Sequence, residues 1–160
     1  MRKIPCFILT LLAMVGIVSA QEERQVKIKI VETSDVHGAF FPHDFILRQP
    51  AQGSLARISS YLNQERAIYG DHLLLVDNGD ILQGQPSLYY YNFIDTTSTH
   101  LAAMVTNYLG YDAGNVGNHD VETGLTVLNR VTKSCHFPVL GANIVDTATG
   151  KPAFQPYTVF

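Results

Sequence analysis

Gly117-Asn118-His119-Asp120 stands directly after the apolar-leaning run Tyr111 to Val116. An amide, an imidazole and a carboxylate on consecutive residues are poor packing material, and all three side chains suit the loop just beyond a strand end, where they can converge on a ligand. Two more clusters of the same kind lie upstream. Asp35-Val36-His37-Gly38 follows the run Val26 to Val31, and Asp77-Asn78-Gly79-Asp80 follows Leu73 to Val76. Three expected strands therefore end in residues of metal-ligand type.

Working outward, Gln25 to Val31 alternates, with Val26, Ile28 and Ile30 pointing one way and Lys27 and Lys29 the other, which predicts a strand with one wet face. Residues 39 to 52 hold Phe40, Phe41, Pro42 and Pro50 without period and read as a loop. From Ser54 to Tyr69 the positions Leu55, Ile58, Leu62 and Tyr69 keep helical spacing, with Gly70 placed as a C-cap. Leu73-Leu74-Leu75-Val76 is the unbroken apolar run of a strand covered on both faces. A short helix is expected through Tyr89-Tyr90-Tyr91, its tyrosines packed under a loop. A longer helix is expected over Thr99 to Leu109, with Ser98 as N-cap and Gly110 as C-cap. Tyr111 to Val116 is a short strand, Gly124 to Lys133 a third helix, Phe137 to Leu140 another strand, and the last residues begin one more. The order β-α-β-α-β-α-β implies an α/β layered sheet with right-handed crossovers. It gathers the strand C-terminal ends, and so all three clusters, along one edge.

The sequence has 160 residues, 46% hydrophobic and 16% charged, the balance of a globular domain. Arg2 and Lys3 ahead of the apolar run Ile4 to Val18, then Val18-Ser19-Ala20, read as residues 1–20 forming an export signal cleaved before Gln21. The run is too short to be read as a membrane span. Without those twenty residues, 9 basic groups face 14 acidic ones, a formal charge of −5, which is no footprint for polymeric nucleic acid. Periplasmic or secreted localisation follows from the signal. Only Cys135 remains, so no internal disulfide can form and stability must come from a core. Residues 21–160 are read as the N-terminal part of one domain, truncated at Phe160.

Asp35 and His37, two apart on a strand exit, point the same way if the backbone stays extended and can share one cation. Asp80 and Asn118 from neighbouring strands would raise the ligand count, and a carboxylate can bridge two cations. Mixed nitrogen and oxygen ligands favour Zn, Mn, Fe or Co over Ca. Two such ions suit hydrolysis of a phosphate ester.

The blocks Asp35-x-His37, Gly79-Asp80 and Gly117-Asn118-His119-Asp120, in this order and at these separations, resemble the calcineurin-like metallophosphoesterases. More narrowly, Asp77 to Pro86 and Gly110-Tyr111-Asp112-Ala113 resemble the secreted 5'-nucleotidase and 2',3'-cyclic-nucleotide 2'-phosphodiesterase/3'-nucleotidase family. The resemblance implies a layered α/β/β/α sandwich, here incomplete. It implies two divalent ions, with Asp35 and His37 on one, Asp80 bridging both and Asn118 on the second. His119 would contact the scissile phosphate, paired with an acid. Relatives often carry Asp three residues after this histidine; here Glu122 occupies that place while Asp120 adjoins His119, so either acid is open as the partner.

The resemblance implies metal shells completed by an isolated histidine and a later His-x-His or similar pair, followed by a second domain that grips the nucleoside; none of His43, His72, His100 and His136 sits in such a pair. The chain alone is therefore expected to hold about half a site, to bind metal weakly and to turn over little phosphate ester, a missing C-terminal portion being needed to complete it. The leading expectation is a hydrolase of small nucleotides. The alternatives are a metallophosphoesterase for a lipid or sugar phosphate, and a non-catalytic secreted module on the same scaffold.

Overall fold

The computed structural model describes residues 25–160; the segment read as an export signal lies outside the described residues. In chain order the elements are β1 (Lys29–Thr33), β2 (His43–Asp44), β3 (Gln49–Pro50), α1 (Leu55–Tyr69), β4 (Leu73–Asp77), α2 (Pro86–Tyr89), α3 (Leu101–Leu109), β5 (Ala113–Asn115), α4 (Asn118–Glu122), α5 (Leu125–Ser134) and β6 (Val139–Leu140). A tight turn, Gly70–His72, joins α1 to β4, and α2 runs on into a wide turn over Tyr90–Ile94. The fold is α/β. Four parallel strands pair in the order β1-β4-β5-β6, and the loops carrying the three clusters all leave their C-terminal ends. Among the described residues this sheet is accompanied only by the two-stranded β2–β3 ribbon. That ribbon corrects the expectation of an unstructured 39–52 loop; His43 pairs with Pro50 and Asp44 with Gln49.

Local chemistry sets the helix ends. The Ser54 hydroxyl accepts the Arg57 N–H at the start of α1, and Gly70 ends it with φ 53°. At α3 the cap is His100, whose Nδ1 accepts the Ala102 N–H, and not Ser98. Ser98 instead gives its N–H to Asp95, closing a turn ahead of the helix. Leu55, Leu62, Leu75, Leu88, Ala103 and Leu128 form the centre of the core between sheet and helices.

The facing of β1 is opposite to the alternation reading. Val31 packs against the core and Thr33 is buried, whereas Ile30 on the other face is 65% exposed, as is most of Ile28. The reason lies in α1. Lys29 turns toward that helix, its ammonium 3.0 Å from Glu65 and over the rings of Tyr61 and Tyr69, so its stem lies along apolar surface while its charge is paired. Leu74 and Val76, in register with Ile30 and Glu32, are half-buried, while Leu73 and Leu75 are fully so. Tyr89 and Tyr90 are also exposed, which corrects their reading as packing residues. The expected final strand is reduced to a parallel bridge between Leu140 and Gln155.

Core and open faces differ energetically. Leu75→Ala is expected to cost about 2–5 kcal/mol in urea unfolding and Ile30→Ala no more than about 0.5 kcal/mol; similar losses at both positions would contradict this facing of the sheet.

Candidate metal centre at the strand ends

The loops after β1 and β4 are tied together by backbone bonds. Asn78 N–H donates to the Thr33 carbonyl at 2.8 Å, Asp35 N–H to Gly79 at 3.1 Å and His37 N–H to Asp80 at 3.0 Å. Beneath them the Thr33 hydroxyl donates to Asp77 at 2.6 Å, and the second Asp77 oxygen accepts the Gly79 N–H at 2.9 Å. Burial pushes the Asp77 carboxyl up to about 6, against the lowering effect of those two hydrogen bonds. Asp35, His37 and Asp80 all sit in the left-handed region, with φ of 53°, 48° and 60°. Each such residue costs of order 1 kcal/mol, a strain that persists only where the surroundings over-determine it.

The surroundings here are chiefly Asp120. It is 4% exposed and gathers four backbone N–H groups: Asp80 at 2.8 Å and Gly117 at 2.9 Å on Oδ2, Ile81 at 2.9 Å and Leu82 at 2.8 Å on Oδ1. A buried carboxylate accepting this many amides is compensated for its lost hydration. It binds the Asp80 loop to the Gly117 loop so closely that a Cβ on Gly117 would fall 2.6 Å from the Asp80 nitrogen.

Above this base, one donor atom each from His37, Asp80 and His119 lie within 4.8 Å of one another. Asp80 Oδ1 accepts the His119 N–H at 2.8 Å. The rings of His37 and His119 meet edge to face at 5.2 Å. His37 Nδ1 lies 3.0 Å from the Gln83 carbonyl. A carbonyl only accepts, so this nitrogen carries the proton and Nε2 keeps its lone pair. Asp35 flanks the cluster, one oxygen 3.9 Å from His37 Nε2 and the other receiving the Ser34 hydroxyl. Asn118 is exposed at the first residue of α4, and its side chain helps to lower the Glu122 pKa.

Glu122, not Asp120, is the acid bonded to His119, with Oε2 2.9 Å from Nδ1. Helix geometry decides it: residues three apart share a face, whereas the adjacent Asp120 points into the protein. The Glu122 hydrogen bond raises the His119 pKa, and its charge and those of Asp80 and Asp120 add to the effect. Within the Asp77 to Pro86 stretch, Gln83 takes a supporting place: its carbonyl orients His37 and its amide reaches Glu122 at 3.4 Å. Beside it, a Cβ on Gly84 would lie 2.5 Å from the His37 carbonyl.

A parallel α/β sheet with carboxylates and imidazoles converging at its C-terminal edge defines a domain equipped to hold divalent cations. The chain belongs to the calcineurin-like metallophosphoesterases, among relatives named 5'-nucleotidase and 2',3'-cyclic-nucleotide 2'-phosphodiesterase/3'-nucleotidase. It is 34% identical over 164 residues to the trifunctional nucleotide phosphoesterase protein YfkN of Bacillus subtilis, across 97% of this chain and 11% of that protein. The crystal structure of calcineurin-like phosphoesterase YfkN superposes with a TM-score of 0.77, covering 86% of this chain and 42% of the other. The 2',3'-cyclic-nucleotide 2'-phosphodiesterase/3'-nucleotidase of Yersinia enterocolitica is 33% identical over 88% of this chain and 22% of its own length. The 5'-nucleotidase precursor of Thermus thermophilus has a TM-score of 0.62 at 27% identity, over 83% of this chain and 26% of that one. The chain thus spans between about a tenth and a quarter of the length of these curated relatives. No family model matches it.

Two measurements check this geometry. Asp120→Ala strands four amides and is expected to cost about 2–5 kcal/mol of unfolding free energy; a loss below about 0.5 kcal/mol would show that the two loops do not depend on it. In the metal-free chain, His119 is expected to titrate above the ordinary 6.5 and Glu122→Gln to bring it down, read by the NMR shifts of its ring protons. Because the pair favours imidazolium, its small contribution to stability is present below pH 6.5 and is lost as pH rises through the folded value.

Proposed function

We propose that this chain is part of a metal-dependent hydrolase of small nucleotide phosphate esters, phosphomonoesters and 2',3'-cyclic nucleotides, using two divalent ions drawn from Zn, Mn, Fe and Co. The observation that carries the reading is the meeting of His37, Asp80 and His119 at one rim, from three loops far apart in sequence. In this reading Asp35 and His37 would hold one ion, Asp80 would be shared with a second, and Asn118 would belong to the second. Bound divalent ions supply Lewis acidity toward phosphoryl oxygens and a water of lowered pKa.

The chain's own residues do the rest. The proton on His37 Nδ1 is committed to Gln83, so Nε2 is the nitrogen left to coordinate. One Asp80 oxygen is engaged by the His119 N–H, which sets the carboxylate plane and leaves the other oxygen free. His119, with Nδ1–H held by Glu122, presents Nε2 outward; as imidazolium it donates to the anionic ester and protonates the departing oxygen. An imidazolium has no lone pair for a metal, so Glu122 favours the phosphate-facing role for His119 over a place among the ligands. Residues 1–20 are proposed as an export signal, giving a periplasmic or secreted protein, and the remainder of the metal shell and the nucleoside contacts are proposed to come from further sequence of the complete protein.

The test is a screen of the complete protein against nucleoside monophosphates and 2',3'-cyclic nucleotides with added Mn or Zn. His119→Ala is expected to lower kcat by about 10²-fold or more with metal content unchanged. Loss of one ion equivalent from that variant would make His119 a ligand, and unchanged turnover would remove it from the chemistry. The 160-residue chain alone is expected to bind metal weakly and to show little turnover; robust hydrolysis by it would overturn the half-site reading.

A further inference from the structure

Asn92 and His100 are deeply buried polar residues outside the three strand-end clusters, with His100 at 0% exposure and Asn92 at 4%. Asn92 sits in the wide turn Tyr90–Ile94, closed by the Asp95 N–H bonding to the Tyr90 carbonyl at 2.9 Å. Such single wide turns recur at functional sites. This one turns the amide inward while Tyr90, Phe93 and Ile94 face solvent.

The hydrogen bonds of this pair have a single consistent direction. The Leu82 carbonyl only accepts, so Asn92 Nδ2 donates to it at 2.8 Å. Asn92 Oδ1 therefore accepts from His100 Nε2–H at 2.8 Å. His100 Nδ1, left without a proton, accepts the Ala102 N–H at 3.1 Å and caps α3. Burial, together with the positive charge of Arg130, holds the His100 pKa down to about 4, which preserves this neutral tautomer. Leu82 is thereby gripped on both sides, its N–H by Asp120 and its carbonyl by Asn92. The next residue, Gln83, offers the carbonyl that receives the His37 Nδ1 proton.

We infer that Asn92 and His100 are positioning residues for the candidate metal centre: the chain of bonds from the α3 cap through Asn92 and Leu82 fixes the Gln83 carbonyl, and with it the tautomer and direction of His37. Oriented partners behind a ligating histidine of this kind are worth about 10–100-fold in metal affinity. The inference deepens the proposed function and rests on it where metal is concerned, whereas the state of the His37 ring is independent of it.

The experiment uses the 160-residue chain, isotope-labelled, in its wild-type, Asn92→Ala and His100→Asn forms. Asn92→Ala removes the donor to Leu82 without touching the acceptor that caps α3. In the metal-free wild type, nitrogen-detected imidazole spectra are expected to show His37 protonated at Nδ1. In folded variants the signal is expected to move toward a mixture with the Nε2–H form, and zinc affinity by calorimetry to fall about tenfold. Variants that lose thermal stability but keep the wild-type His37 tautomer and zinc affinity would overturn the inference, leaving a purely structural role. Should Asn92→Ala fail to fold, His100→Asn, whose Oδ1 can still accept the Ala102 N–H while the Nε2–H to Asn92 is lost, is read the same way. Where zinc binding by this chain is too weak to read, the His37 tautomer alone decides: its loss on substitution upholds the positioning role and its persistence overturns it, while the proposed function stands or falls on turnover by the complete protein.

Discussion

The strand-end rim depends on one buried carboxylate. Among the described residues Asp120 has no partner of opposite charge; it is stabilised by four backbone N–H groups, two on each oxygen. Removing an anion from water is tolerable only when its lone pairs are so occupied, and the need works in reverse on the backbone. The Asp80 loop and the Gly117 loop satisfy it only in one mutual arrangement. That arrangement holds Asp80 left-handed, brings its oxygen to the His119 N–H, and requires residues without Cβ where the two loops touch. The strain in the ligand loops and the buried anion beneath them are two sides of one structure.

On that base two imidazoles 5.2 Å apart acquire different chemistry from different neighbours. A neutral carbonyl behind His37 directs its proton to Nδ1 and leaves Nε2 as the nitrogen able to face a cation. A carboxylate behind His119 directs its proton and also favours the charged ring, which suits a donor to an anion. Gln83 touches both arrangements, with its carbonyl at His37 and its amide at Glu122. The short segment Leu82 to Gly84 thus supports both imidazoles, His37 directly and His119 through Glu122.

Several features were legible in the amino-acid sequence because their causes are local. Helical spacing of Leu55, Ile58 and Leu62, the Gly70 C-cap and the apolar run at Leu73 depend on neighbours in the chain, and each appears close to where its pattern predicts it. The strand–loop pairing of the three clusters is local too. The facing of β1 was not legible, because the alternation of Val26, Ile28 and Ile30 says that two faces differ and not which one meets α1. The cap of α3 was misplaced for a similar reason: a serine hydroxyl is the commoner cap, and only the buried Asn92 gives a histidine ring cause to take its place.

By itself the sequence determined the α/β order of elements, the loops that bear ligand-type side chains, and the set of residues eligible for a metal centre, since these follow from backbone periodicity and side-chain chemistry over a few residues. The tertiary structure decided which eligible residues meet, which acid serves His119 and which serves the backbone, and which nitrogen of His37 is left bare. Those outcomes turn on contacts between residues about forty positions apart, Asp80 with His119, Leu82 with Asp120 and Gln83 with His37, and on hydrogen bonds whose direction is set only when donor and acceptor face each other.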